Sequence, residues 1–386
     1  MEKGTIIVES IDQSANTVIY TIKINEVQEK IEYYVNDICV PLLTLDRIDN
    51  LVVGLLPLLT EQGYNLESSI PMTRDLWYNI TNYLIPGIAI GKRNIHRPII
   101  SCPLIEAVDV KEKIYNLTGI SCGVDSLYTI AQDTTSDIPD EDKINGLCFF
   151  NIGAAYKGGD IRTELVDGRK DNAEKFAKEY GYPLFFIESN LPLLYEKNGG
   201  YSHTNIHTYM FLSIVHLLQK GIKKYHYSSG YSLLDFDIKA SNSDKYEFFI
   251  FYLLSNTGMT IYNDGAEVSR LDKVKKLVTW EPSYRYLNVC VDDANNCGVC
   301  FKCIRTLLEI DAVGNINKYK EVFDVDFYKR NRNVYLRRLY IDGGWKNNLY
   351  MKELLPYYNH ELTTLFKLKC ILSVIINKII KKREII

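Results

Sequence analysis

The sequence predicts an α/β protein: a parallel sheet with helices on both faces, an α+β domain before it and a helical tail after it. Three observations predict this. From Lys111 to Asp235, β-prone runs alternate with helical periodicity. A tight turn, Thr118-Gly-Ile-Ser-Cys-Gly-Val-Asp-Ser-Leu127, joins the first such run to the first helix. Four cysteines, Cys290, Cys297, Cys300 and Cys303, close the region. The expected divisions are therefore residues 1–110, 111–315 and 316–386.

A chain of 386 residues allows two or three domains with a sizeable core. Apolar residues at 46% and charged residues at 24% are those of an ordinary globular protein. A net charge of −3 argues against bulk nucleic-acid binding. Nine cysteines, four of them bunched, suit metal binding in a reducing cytoplasm better than disulfides. The start has no apolar run behind a basic head, so no secretory signal is expected.

Each element has its own signal. Thr5–Glu9 and Thr17–Ile24 read as a strand pair across polar Asp12–Asn16. Ile48–Leu59 reads as a buried helix that Pro57 bends or ends. Pro71–Leu84 reads as a helix capped at Thr73. Then come strand Ile114–Thr118, a helix from Ser126, strand Ile144–Asn151 and helix Asp171–Tyr180 closed by Gly181. Strand Pro183–Glu188, helix Thr204–Lys220 and strand Lys223–Ser229 complete the alternation. In such a sheet, ligands bind beyond the carboxyl ends of the strands. Ser121–Ser126, Asn151–Tyr156 and Ser228–Tyr231 are then the candidate loops. His203 and His207, four apart at a helix start, are candidate substrate contacts.

A strand feeding a helix through a Gly- and Ser-containing turn can cradle phosphate on backbone N–H groups. Ser121 and Ser126 add hydroxyls. Asp125 implies a cation, since a bare carboxylate repels phosphate; magnesium prefers one or two carboxylates plus phosphate oxygens. Ser269 is a plausible cap for helix Arg270–Leu277. Cations are disfavoured at a helix start, so Arg270 and Lys273 are expected to face phosphates. The four cysteines suit tetrahedral zinc in a closed structural site, with an iron–sulfur cluster as the alternative for the same ligands. Arg305 is expected to soften that site's charge.

The turn resembles Ser-Gly-Gly-x-Asp-Ser, the signature of the PP-loop ATP pyrophosphatases. Ser121, Gly123, Asp125 and Ser126 match, and Cys122 stands where that family has its first Gly. A PP-loop followed by Cys-Gly-x-Cys-x-x-Cys, with another Cys upstream and Thr279-Trp280 before it, is similar to the 7-cyano-7-deazaguanine synthase family of queuosine biosynthesis. The resemblance covers residues 111–310 and neither flank, and the spacing from Cys290 to Cys297 is slightly short for the family.

The resemblance implies an AMP-forming ligase with an adenine nucleotide alpha hydrolase-like fold. ATP would activate a carboxylate as an acyl-AMP, and a nitrogen nucleophile would then form an amide or nitrile. Ser121, Cys122, Gly123, Val124, Asp125 and Ser126 would hold ATP and Mg2+, and Asn151 would lie near the adenosine. Asp125, Ser126, Arg270 and Lys273 would carry the chemistry, and the four cysteines would hold Zn2+. The acceptor would be a small-molecule or protein carboxylate. A PP-loop sulfurtransferase or RNA-modifying enzyme is the alternative, and a non-catalytic nucleotide-binding component is a third reading.

The stretch Leu365–Ile380 is apolar but broken by Lys367, Lys369 and Lys378, too short and too charged for a membrane span. A packed helix or a contact between like subunits is expected there. A peripheral contact with an anionic membrane, aided by Lys381, Lys382 and Arg383, is the alternative.

Overall fold

A computed structural model describes residues 3–383 apart from 93, 94, 110, 112, 158 and 159, with side chains described except at 157, 160, 161 and 375–383. The side chains of Lys378, Lys381, Lys382 and Arg383 thus lie outside the described residues. Ten strands form one sheet. They are β1 (Gly4–Ser14), β2 (Thr17–Ile24), β3 (Val27–Val35), β4 (Tyr64–Ser68), β5 (Ile100–Ser101), β6 (Tyr115–Gly119), β7 (Gly146–Asn151), β8 (Leu184–Ser189), β9 (Ile222–Ser228) and β10 (Thr260–Asp264). Their spatial order is β10-β9-β6-β7-β8-β3-β2-β1-β4-β5. Pairing is parallel along β10-β9-β6-β7-β8 and β1-β4-β5, and antiparallel along β8-β3-β2-β1. The structure is thus α/β, with a large, mostly parallel sheet flanked by helices.

The five strands from β6 to β10 stand in the order third, second, first, fourth, fifth by chain position. The chain lays β7 and β8 on one side of β6, then crosses back to lay β9 and β10 on the other. Parallel strands need such long crossovers. In doubly wound sheets such a reversal of order is where ligands bind.

The N-terminal strands correct one expectation. Residues 1–110 do not form a separate domain: β3 pairs with β8, with Tyr34 opposite Glu188, and extends the same sheet. Without β3, β8 would present an unpaired row of N–H and C=O groups. Two compact units divide the chain elsewhere, residues 1–121 with 132–268, and residues 122–131 with 269–386. The expected break at 315 also falls inside a unit. The tail belongs with the helix Phe301–Ala312: the Tyr358 hydroxyl donates to Leu308 O at 2.7 Å, and Arg332 pairs with Asp311.

Two local expectations also change. The helix Asp49–Gln62 does not end at Pro57 but continues to a left-handed Gly63. Burial explains this: every residue from Asp49 to Thr60 is buried, so packing outweighs the lost hydrogen bond. This helix packs on His203–Leu217, and a Cβ on Gly54 would meet Ser213 Cβ at 3.1 Å. Thr73 does not cap the helix Arg74–Asn79. Its hydroxyl instead donates to Asp49 and accepts from Arg47 at 3.0 Å.

In the second unit, tyrosines serve as packing with a polar tip. Tyr319, Tyr328, Tyr335 and Tyr358 are all buried. Their hydroxyls reach Ser283 at 2.8 Å, Asp311 at 2.7 Å, Gly298 O at 2.8 Å and Leu308 O at 2.7 Å respectively.

Candidate functional site

The turn after β6 begins with Ile120 N–H donating to Cys148 O at 2.8 Å. Cys122 then adopts φ 56°, the left-handed region that favours Gly. Its carbonyl accepts from Asn288 N–H at 2.8 Å, and its side chain is buried. Burial pushes the thiol up to about 12, so Cys122 is a neutral thiol. A helix N-terminus does not activate it: with no solvent, the thiolate has no stabilising shell. The helix Val124–Thr135 follows. Leu127 N–H and the Ser126 hydroxyl both donate to Gly123 O, at 3.0 and 3.2 Å.

Asp125, in that first turn, is gripped by two cations. Its Oδ1 accepts from Lys273 Nζ and its Oδ2 from Arg270 Nη1, each at 3.0 Å. Arg270 and Lys273 stand three apart on the helix Arg270–Leu277, hence on one face. Ser269 caps this helix as expected, accepting from Asp272 N–H at 3.2 Å. Both cationic side chains are almost fully buried, at 6% and 2% exposure, against 27% for Asp125. Burial alone would raise the Asp125 carboxyl; Lys273 and Arg270 outweigh it and hold the group at about 2. It is therefore ionised throughout the neutral range.

Sequence reasoning missed the other half of this cluster. Glu309 lies 3.4 Å from Arg270 Nε and 3.7 Å from Arg305 Nε. Glu309 and Arg305 are both nearly fully buried. Arg305 also covers the Tyr350 ring at 4.4 Å. Thus Arg305 faces Glu309 rather than merely offsetting the cysteines. The i, i+4 spacing of Arg305 and Glu309 after the last cysteine was the available signal. Arg270 Nε, Arg305 Nε and Glu309 Oε2 have no hydrogen-bond partner among the described residues. Three cations face two carboxylates, so the cluster carries surplus positive charge and suits an anion.

The cysteine group sits in the same unit. The sulfurs of Cys290, Cys297, Cys300 and Cys303 all lie within 4.8 Å of one another. Cys290 and Cys300 are 4.0 Å apart, as are Cys297 and Cys303. A tetrahedral ion with thiolates at 2.3 Å sets sulfurs about 3.8 Å apart, so the group can hold one metal ion such as zinc. Backbone N–H groups already point at the sulfurs: Asp293 to Cys290 and Cys300 to Cys297 at 3.3 Å, and Cys303 to Cys300 at 3.4 Å. Gly298, with φ 72°, supplies the tight bend between Cys297 and Cys300. Cys300 caps the helix Phe301–Ala312 that carries Arg305, Thr306 and Glu309. Asn288, which holds the Cys122 carbonyl, lies two residues before Cys290.

Magnesium fits less well. Both oxygens of Asp125 are engaged by cations, so a magnesium ion bound there would face the charges of Lys273 and Arg270 at close range. Among the described residues, the four cysteines are the group of three or more metal-ligating side chains close enough to share an ion.

The remaining expected residues fall in the first unit. Ser121 precedes the boundary between units. Asn151 ends β7, and its Nδ2 donates to Glu188 Oε2 at 2.8 Å. His203 Nδ1 lies 2.8 Å from the Tyr201 hydroxyl. His207 Nδ1 lies 2.9 Å from His203 O, and its Nε2 lies 2.5 Å from Asp244. Both ring nitrogens of His207 are thus engaged by protein.

Among the described residues no helix is long and apolar enough to cross a membrane. Comparison with family models, with curated proteins and with solved structures finds no match to this chain.

Proposed function

We propose that the chain is an ATP-dependent, AMP-forming ligase of the PP-loop kind, resembling 7-cyano-7-deazaguanine synthase. One observation carries the reading: the turn that signals a phosphate cradle places Asp125 against Arg270 and Lys273, inside a buried cluster with surplus positive charge. The strand order around β6 supports it, since doubly wound sheets bind nucleotides where the order reverses.

In the proposed reaction a carboxylate oxygen attacks the α-phosphorus of ATP. The bond to the bridging oxygen breaks and pyrophosphate leaves. A nitrogen nucleophile then attacks the acyl carbon, loses a proton, and expels AMP to give an amide; for a nitrile, a second ATP would adenylate the amide oxygen, releasing pyrophosphate, and AMP would leave with that oxygen as the nitrogen loses its protons. Arg270 and Lys273 would neutralise the charge that grows on the departing pyrophosphate, a preorganised term in a dry site. Asp125 would keep the two cations aimed while the site is empty. The four cysteines would hold zinc, which supplies no chemistry here and fixes the start of the helix bearing Arg305 and Glu309. An iron–sulfur cluster, with its own bridging atoms, needs more room than sulfurs all within 4.8 Å leave.

Sulfur transfer gains no support from the thiols. Burial raises Cys39 and Cys122 to about 12 and Cys102 to about 11, and also raises Cys148 and Cys370. None is an activated thiolate.

The test is carboxylate-dependent exchange of labelled pyrophosphate into ATP across a panel of small acids and protein acceptors. Exchange that falls by about 10²-fold or more in Lys273→Ala supports the reading. No exchange with any acceptor, or unchanged exchange in that variant, overturns it.

A further inference from the structure

Over residues 364–374, the helix Thr364–Arg383 presents two unlike faces. Cys370 is buried at 3% exposure, whereas Leu365, Leu368 and Leu372 are 63, 53 and 56% exposed. Steps of three and four residues stack those leucines in one outward stripe. Lys369, also exposed, stands beside it. The chemistry of the segment is one-sided as well. Lys367, Lys369, Lys378, Lys381, Lys382 and Arg383 fall within it, and no Asp or Glu does.

Each possible partner meets both features or only one. A second copy of this helix would cover the leucines but set like charges side by side. A nucleic acid would take the lysines and leave the leucines in water. An anionic lipid surface takes both, since acyl chains receive apolar side chains and acidic headgroups receive lysines. We propose that this helix lies flat in the interface of an anionic membrane. The leucine stripe enters the acyl boundary, Lys369 beside it meets the headgroups, and the segment's uniformly positive charge favours an acidic surface. The attachment is peripheral, as the helix is not apolar enough to cross a bilayer.

The test is co-sedimentation of the full chain with phosphatidylcholine vesicles, with and without phosphatidylserine. Recovery only with the anionic vesicles, falling as salt rises, is expected. Leu368→Glu/Leu372→Glu should abolish it, and Lys367→Gln/Lys369→Gln should weaken it about tenfold. Should the leucine variant fail to fold, the lysine variant decides. Equal recovery on both vesicle types, or none on either, overturns the proposal. So does a dimer in light scattering that the leucine variant splits, since the stripe is then covered by a second copy. Loss of vesicle binding in competition with short RNA, with the leucine variant binding RNA normally, overturns it as well.

Discussion

Cys122 carries a conformational penalty for its place in the turn. A side chain at φ 56° costs roughly 1 kcal/mol relative to Gly, and a β-branched one more. Cys122→Gly should therefore keep the melting temperature or raise it slightly, while Cys122→Val should lower stability by about 2 kcal/mol or more. Thermal denaturation of both variants checks this. Asp125 gives a second prediction at this scale. Asp125→Asn leaves Arg270 and Lys273 buried with too little opposing charge, and should cost about 2–4 kcal/mol at neutral pH. The folded carboxyl sits at about 2, below its unfolded value near 3.9. Its stabilisation is thus present above about pH 4 and is lost as pH falls toward 2. The gap between parent and variant in urea melts should shrink over that window.

At the scale of elements, the cysteine loop and the helix it caps form one device. Metal analysis should return one ion per chain, and Cys297→Ser should lose it. Chelation should lower the melting temperature, because a loop with little core depends on its ion. Most elements of the parallel region were legible, since their alternation and glycine stops are local signals. So were the strand–turn–helix around Ser121–Ser126 and the grouping of the four cysteines. The strand β3 was not. Three of its nine residues, Glu29, Lys30 and Glu32, are charged, and its turn Asn25-Glu26 uses left-handed residues at φ 47° and 70° without a glycine. Its junction with the parallel strands depends on β8, far along the chain, and no local window contains that partner. Glu309 was missed for the same reason: its meaning lies in Arg270, on another helix.

At the scale of the whole molecule, buried polar groups set the response to acid. His216 is 1% exposed, and burial holds its imidazole at about 4, below the ordinary value near 6.5. Between those values the unfolded chain binds a proton that the folded chain does not. Stability should therefore rise with pH from about 4 to 6.5, by up to about 3 kcal/mol from this one group. Chemical denaturation at pH 5 and pH 7 reads the slope, and His216→Gln should flatten it.

The junction of β3 with β8 also has a consequence for synthesis on the ribosome. The meander β1–β3 emerges first and can close its own hairpins at once. Its outer edge, β3, finds its partner only when Leu184–Ser189 has been made, roughly 150 residues after Val35. At ordinary translation rates that is a wait of roughly 10–30 s. Throughout it, a strand bearing Ile31, Tyr33 and Val35 on one face stands open to other nascent chains. The charges that β3 carries on its other face, Lys30 and Glu32, oppose such pairing, so the yield of folded protein is expected to respond to crowding on polysomes.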